Sequence, residues 1–177
     1  GRLVQNPYTA WNEIDASLPH IPIRVFGPPP TSGTRDAFVE LVMEVGCEAF
    51  EEIRALEGGM KKEVCGRIRQ DGFFVEAGEN DNLIVQRLVA DKKAMGIFGF
   101  SFLEQNLDLL QGALIESVAP EFENIADGSY PVSRTLFVYV KKQDIGIIRG
   151  LREFLSEFVS EGAIGEYGYL SDKGLIP

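Results

Sequence analysis

Histidine is nearly absent: His20 is the only one in 177 residues. A Ser-His-Asp triad has no order to build on with that one ring. A structural zinc site needs four ligands, and one histidine with two cysteines does not supply them. The cysteines, Cys47 and Cys65, stand eighteen positions apart. Cys47 falls in the middle of a helical pattern, away from the helix start where a thiol pKa drops, which argues against a thiol enzyme. The residues alone leave the pair open between a disulfide and two buried thiols. Basic charge is short: 17 Lys and Arg against 27 Asp and Glu, a net charge of −10. With no basic stripe to neutralise phosphates, nucleic acid is excluded as a partner, and so is an anionic membrane surface. The longest uncharged apolar stretch, residues 94–103, is far too short to span a bilayer. No charged-then-apolar signal segment opens the chain, which fits a mature secreted protein, a cytosolic protein and an excised fragment alike. There is no internal repeat and no low-complexity tract.

What is present is the material of a globular domain. Hydrophobic residues make up 45% and charged residues 25%, enough for one core or two small ones. Residues 1–20 read as an irregular lead-in. Residues 21–26 read as a strand with Ile21, Ile23 and Val25 on one face. From Thr34 to about Leu56, apolar residues at Phe38, Leu41, Val42, Val45, Ala49, Ile53 and Leu56 predict a helix with one buried face. Gly58-Gly59 is its expected end. Residues 60–69 read as a basic helical piece and 73–75 as a short buried strand. A turn and cap at 78–82 lead to a helix through Ala90. A glycine-rich, closely packed strand is predicted over 94–100, and Ser101 opens a short helix. Strands are expected at 113–116 and 136–140, with a helical turn at 120–126 between them. Ile147, Ile148, Leu151, Phe154, Leu155, Phe158 and Val159 predict a strongly amphipathic last helix. Single strands alternating with helices make this an α/β protein.

The richest five residues are Thr31-Ser32-Gly33-Thr34-Arg35. They follow Pro28-Pro29-Pro30 at the end of the first predicted strand and open the first predicted helix. A helix N-terminus carries unpaired N–H groups and a positive dipole end, a ready anion site. Ser32 and Thr34 either cap the helix or donate to an oxyanion; both readings stay open on these residues alone. Gly33 allows close backbone approach, and Arg35 offers a forked charge suited to carboxylate or phosphate. Its alternative is an ion pair with Asp36, Glu79 or Asp81. Glu79 and Asp81 could also pair as acid and base, but Gly-Glu-Asn-Asp-Asn reads first as a cap. His20, in a Pro-flanked loop, reads as a surface residue.

The segment Gly27-Pro28-Pro29-Pro30-Thr31-Ser32-Gly33-Thr34-Arg35-Asp36-Ala37-Phe38 resembles the phosphate-site segment of the substrate-binding proteins of ABC phosphate-uptake systems. Three further stretches are similar to that family in the same order. They are Asn6-Pro7-Tyr8 with Trp11 and Ile14 to Pro19, then Asn80 to Phe100 with Met95-Gly96-Ile97-Phe98-Gly99, then Ser129-Tyr130-Pro131-Val132-Ser133-Arg134. The resemblance covers nearly the whole chain. It implies a type II periplasmic-binding-protein fold of two α/β lobes closing on inorganic phosphate, without catalysis or cofactor. The alternative is a lobe that binds another oxyanion or a small metabolite for sensing.

Carried over residue by residue, the resemblance implies that Ser32 and Thr34 donate hydroxyl hydrogen bonds, Gly33 a backbone N–H, and Arg35 the cation. Some family members place the arginine four residues before the serine; that position is Pro28 here, so the role falls on Arg35. Family members are considerably longer, so the chain is expected to be a C-terminal fragment: the second lobe plus the C-terminal part of the first. Residues 1–20 would be a hinge segment, 21–131 the phosphate-binding lobe, and 132–177 a crossover strand, helix and tail belonging to the other lobe. The acceptor carboxylate that tells phosphate from sulfate would then lie outside it. The apolar stripe of 147–159 is expected to pack on the lobe or on another copy of the chain. The resemblance further implies a periplasmic or extracytoplasmic location, a membrane permease as partner, and a Cys47–Cys65 disulfide in that oxidising compartment.

Overall fold

The computed structural model describes residues 7–165, 167–173, 175 and 176. Asn6 and the residues before it, with Glu166, Gly174 and Pro177 of the tail, lie outside the described residues. The chain divides into two compact units, Gly1–Gln111 and Gly112–Pro177.

The first unit is built on a three-stranded sheet of β1 (Val25–Gly27), β2 (Phe74–Glu76) and β3 (Met95–Gly96), in the order β2-β1-β3. Both pairings are parallel, with Val25 beside Phe74 and Met95, and Gly27 beside Glu76. The α/β expectation is met, with shorter strands than the apolar runs suggested. Proline sets the limits of β1. Pro22 has no N–H to give, and residues 21–23 instead pair back onto the lead-in, through Ala10 to Pro22 and through Ile23 N–H to the Thr9 carbonyl at 2.8 Å. At the other end Pro28 stops the ladder.

Alternation sends Phe26, Val75 and Ala77 to one face of the sheet and Phe74, Glu76 and Gly27 to the other. Helix α5 (Asp81–Ala90) covers the first face. Its Ile84, fully buried, and Leu88 pack with Phe26, Val75, Ala77, Ala94 and Phe98 into the main core. The approach is close enough to require glycine: a Cβ on Gly96 would lie 2.5 Å from Leu88 Cδ1 and 3.1 Å from Ile84 Cγ2. The close packing expected of the glycine-rich 94–100 stretch is therefore present, although the strand is brief and α6 (Phe100–Glu104) has already begun at its end.

The first long helix departs from its predicted form. It runs as α1 (Gly33–Phe38), a π-helical turn (Val39–Met43) and α2 (Glu44–Cys47). The wider turn breaks the 3.6-residue period, so the expected apolar stripe does not form one buried face, and Val45 is 62% exposed. Residues 48–50 interrupt the helix before α3 (Glu51–Arg54), whose Ile53 is buried. Gly58-Gly59 is not a helix end, because Gly58 opens α4 (Gly58–Cys65). A disulfide joins Cys47 at the end of α2 to Cys65 at the end of α4, with Cα atoms 5.9 Å apart.

The second unit holds α7 (Phe122–Ala126), α8 (Leu151–Phe158) and α9 (Glu161–Ile164) with short 3-10 turns. Neither expected strand forms a ladder. Residues 113–116 contribute only a bridge between Ile115 and Val118, closed by Glu116 and Ser117 at positive φ. Residues 136–140 have β-branched and aromatic side chains but no neighbouring strand among the described residues, and Phe137 and Tyr139 are 70% and 90% exposed. A strand needs a partner for its N–H and C=O groups, whatever its side chains favour. The helix predicted from Ile147 is α8 and begins at Leu151, because Gly150 takes a left-handed φ of 82°. Among the described residues no helix is long and apolar enough to cross a membrane.

Candidate functional site

Parallel strands direct all their C-terminal ends to one edge, and ligands of open α/β sheets bind in the crevice outside that edge. Here β1 leads through 28–32 into α1, β2 through 77–80 into α5, and β3 through 97–99 into α6. Three helix N-termini are thus delivered to the same edge. Side chains tie the loops together. The Thr31 hydroxyl donates to the Glu79 carboxylate, joining the first loop to the second. The Gly99 N–H donates to Asp81 Oδ2 at 3.1 Å, joining the third to the start of α5. Burial pushes the Asp81 carboxyl above its usual range, and the Gly99 N–H bond opposes that shift.

Ser32 is the N-cap of α1, with its Oγ accepting the Thr34 N–H at 3.2 Å. A serine hydroxyl that accepts one bond still has its own proton to donate. Capping and anion contact, alternatives in the sequence, are therefore compatible at Ser32. Among the described residues the Thr34 hydroxyl has no protein partner. Gly33 is the first helical residue, so its N–H lacks an intrahelical acceptor.

Arg35 does not pair with Asp36, Glu79 or Asp81. Its Nη1 donates to the Pro28 carbonyl at 3.0 Å and lies 3.5 Å from Glu76 Oε1. Its guanidinium carbon stands 4.9 Å from the centre of the Phe74 ring. The side chain is 14% exposed, so the charge is shielded from most of the solvent. Both protein bonds use Nη1; among the described residues Nε and Nη2 donate to no protein group. Those two nitrogens form the side-on edge of the guanidinium fork, the edge that matches two oxygens of an oxyanion.

Phe74 and Glu76 were not singled out by the sequence. The available signal was alternation: both lie on the same face of β2, and Glu76 is the first charge after the apolar run. His20 sits apart in the lead-in, with Nδ1 2.8 Å from Asn12 Oδ1. Among the described residues no group of three or more His, Cys, Asp or Glu side chains is placed to hold a metal ion.

Comparison with known proteins adds the family. "Protein SphX" of Synechococcus elongatus is 30% identical over 149 residues, which are 81% of this chain and 37% of that protein. "Phosphate-binding protein PstS" of Staphylococcus haemolyticus is 32% identical over 150 residues, 82% of this chain and 40% of that protein. The protein of the same name from Staphylococcus saprophyticus is 28% identical over 156 residues, 85% and 41% of the two chains. The chain thus spans about two fifths of the length of these relatives. No solved structure matches it significantly. The PBP superfamily domain matches residues 2–162, a span that takes in the sheet, the loops at its edge and α8. With that family model matched over most of its length, and with a parallel sheet and helices consistent with it, the chain belongs to the PBP superfamily.

Proposed function

We infer that the chain is the phosphate-binding part of a phosphate receptor, with Ser32, Gly33, Thr34 and Arg35 as its contacts to inorganic phosphate. One observation carries the reading. The strand-to-helix turn brings into one short segment a capped helix start and, among the described residues, an unpartnered Thr34 hydroxyl and an arginine with a free side-on edge. Two of the relatives carry the words phosphate-binding protein in their names, which supports phosphate over other oxyanions.

The receptor serves a membrane permease of an ABC importer and works outside the cytoplasmic membrane, where the Cys47–Cys65 disulfide persists. Residues 21–131 form the phosphate-binding lobe and 132–177 return to the other lobe. Its work is binding, not catalysis. The net charge of −10 does not oppose this, because fixed donors and helix ends bind the anion locally. Affinity should then depend weakly on salt. The apolar stripe of α8 engages another copy of the chain when nothing else covers it, which a light-scattering mass equal to one chain would contradict.

Calorimetry with phosphate and sulfate tests the main reading, on this chain and on a version extended to the relatives' length. Phosphate binding by the extended protein is expected. Its absence there would overturn the reading.

A further inference from the structure

Arg35 is held from three directions, and the three holders come from one strand boundary. The Pro28 carbonyl follows β1 directly, while the Phe74 ring and the Glu76 carboxylate stand two residues apart on one face of β2. The register that places Gly27 beside Glu76 sets all three under the start of α1. Glu76 is half-exposed and its oxygen lies at the limit of hydrogen bonding, so it holds the guanidinium weakly. The ring is the firmer support. It presents a π-face to a guanidinium shielded from solvent, where such contacts are strongest. Gly27 keeps the ring in place: a Cβ there would lie 2.5 Å from Phe74 Cζ.

The geometry points to Phe74 as the positioning residue of the anion site. Its ring fixes the plane of the Arg35 guanidinium, Nη1 is taken by the Pro28 carbonyl, and the Nε–Nη2 edge is left for two oxygens of the ligand. A flexible arginine would lose rotamer freedom on binding; one already oriented loses less per hydrogen bond formed. This rests on the phosphate reading of Arg35, and Phe74 itself touches no ligand in it.

The test uses the nitrogen-15-labelled chain titrated with inorganic phosphate, alongside R35K, F74L, F74Y and G27A. The Arg35 Nε–H resonance, identified by its loss in R35K, reports ring-current and orientation directly. F74L is expected to weaken phosphate binding about tenfold and to move that resonance toward the position of a free arginine. F74Y keeps the π-face and should restore both. G27A displaces the ring without removing it and should weaken binding in the same direction as F74L. An unmoved resonance and unchanged affinity in F74L would overturn the proposal. So would equal losses in F74L and F74Y, which would mark a packing role only. If phosphate does not perturb the parent chain, the same titration is made on the version extended to the relatives' length, and absence of phosphate binding there makes the phosphate reading fail. The Nε–H resonance then decides the positioning by itself, supporting it if F74L moves the signal and F74Y does not, and overturning it otherwise.

Discussion

In residues 1–111, Phe26, Ala77, Ile84, Val85, Ile53 and Ile68 are buried, while in 112–177 Phe137, Tyr139, Ile147, Phe154 and Val159 stand exposed. Among the described residues of the second unit, Ala163 alone is a buried hydrophobic. The two stretches read alike in sequence, each with apolar runs of strand and helix type. They differ in whether a run finds a neighbour. Residues 25–27 have β2 on one side and β3 on the other. Residues 136–140 have no strand beside them among the described residues. Side-chain preference sets which residues suit a pleated, half-buried surface, and pairing decides whether the surface exists. The candidate site follows the same division: Ser32, Arg35, Phe74, Glu76 and Asp81 all lie in the unit whose strands are paired.

The comparison breaks most readily at Ile84. Ile84→Ala should cost about 2–5 kcal/mol in denaturant unfolding, because the side chain is fully buried at the centre of the core. A loss as small as that of an exposed residue would remove the contrast. Next is the disulfide. Replacing Cys47 and Cys65 by serine should cost about 3 kcal/mol from loop closure, and alkylation without reductant should leave the parent chain's mass unchanged. Ser32→Ala should follow at about 1 kcal/mol of stability from the lost cap. A loss of phosphate affinity measured by calorimetry should accompany it, and Gly at 32 should rescue stability but not affinity. In the second unit, Phe154→Ala should change the stability of the isolated chain by less than about 0.5 kcal/mol, as the ring is 61% exposed. It should also reduce any self-association.

The smallest effect is on pH dependence, and here the signs diverge. Backbone N–H bonds from Thr9 and Ala10 hold Glu13 below its usual range, and the Arg69 side chain does so for Asp71. A lowered carboxylate stabilises the fold above its unfolded pKa of about 4, and that contribution is lost as pH falls through the folded value. Asp81 runs the other way. Its raised pKa means the folded state binds its proton more tightly, so its contribution is most favourable below about 4 and declines as pH rises through the folded value. Asp81→Asn keeps an acceptor for the Gly99 N–H and removes that decline. The melting temperature of the variant relative to the parent should rise with pH across the acid range; a parallel pair of curves would show that burial does not govern Asp81.

The candidate site was legible in part. Ser32, Gly33, Thr34 and Arg35 are contiguous and obey local rules for strand ends, caps and helix starts, so the capped turn could be read along the chain, while their proposed contacts to phosphate rest on the family resemblance. Phe74 and Glu76 could not. They lie far from Arg35 in sequence, and no local pattern reports which arginine a ring on another strand will meet. The π-helical turn at 39–43 was equally hidden, because an apolar spacing of three and four does not show where the period slips. The unpaired 136–140 stretch was misread for the opposite reason: its local preference is strong, and preference is all that a single segment can express.

By itself the sequence determined the α/β class, the three parallel-strand segments within a few residues, the capped turn after Pro30, and a net charge of −10. Those are properties of short segments, fixed by sterics, hydrogen-bonding geometry and composition. The tertiary structure alone decided the order β2-β1-β3, the stapling of three loops at one edge, and the cradle of Pro28, Phe74 and Glu76 around Arg35. Those depend on register between strands distant in sequence, and register is set by which faces can be buried together.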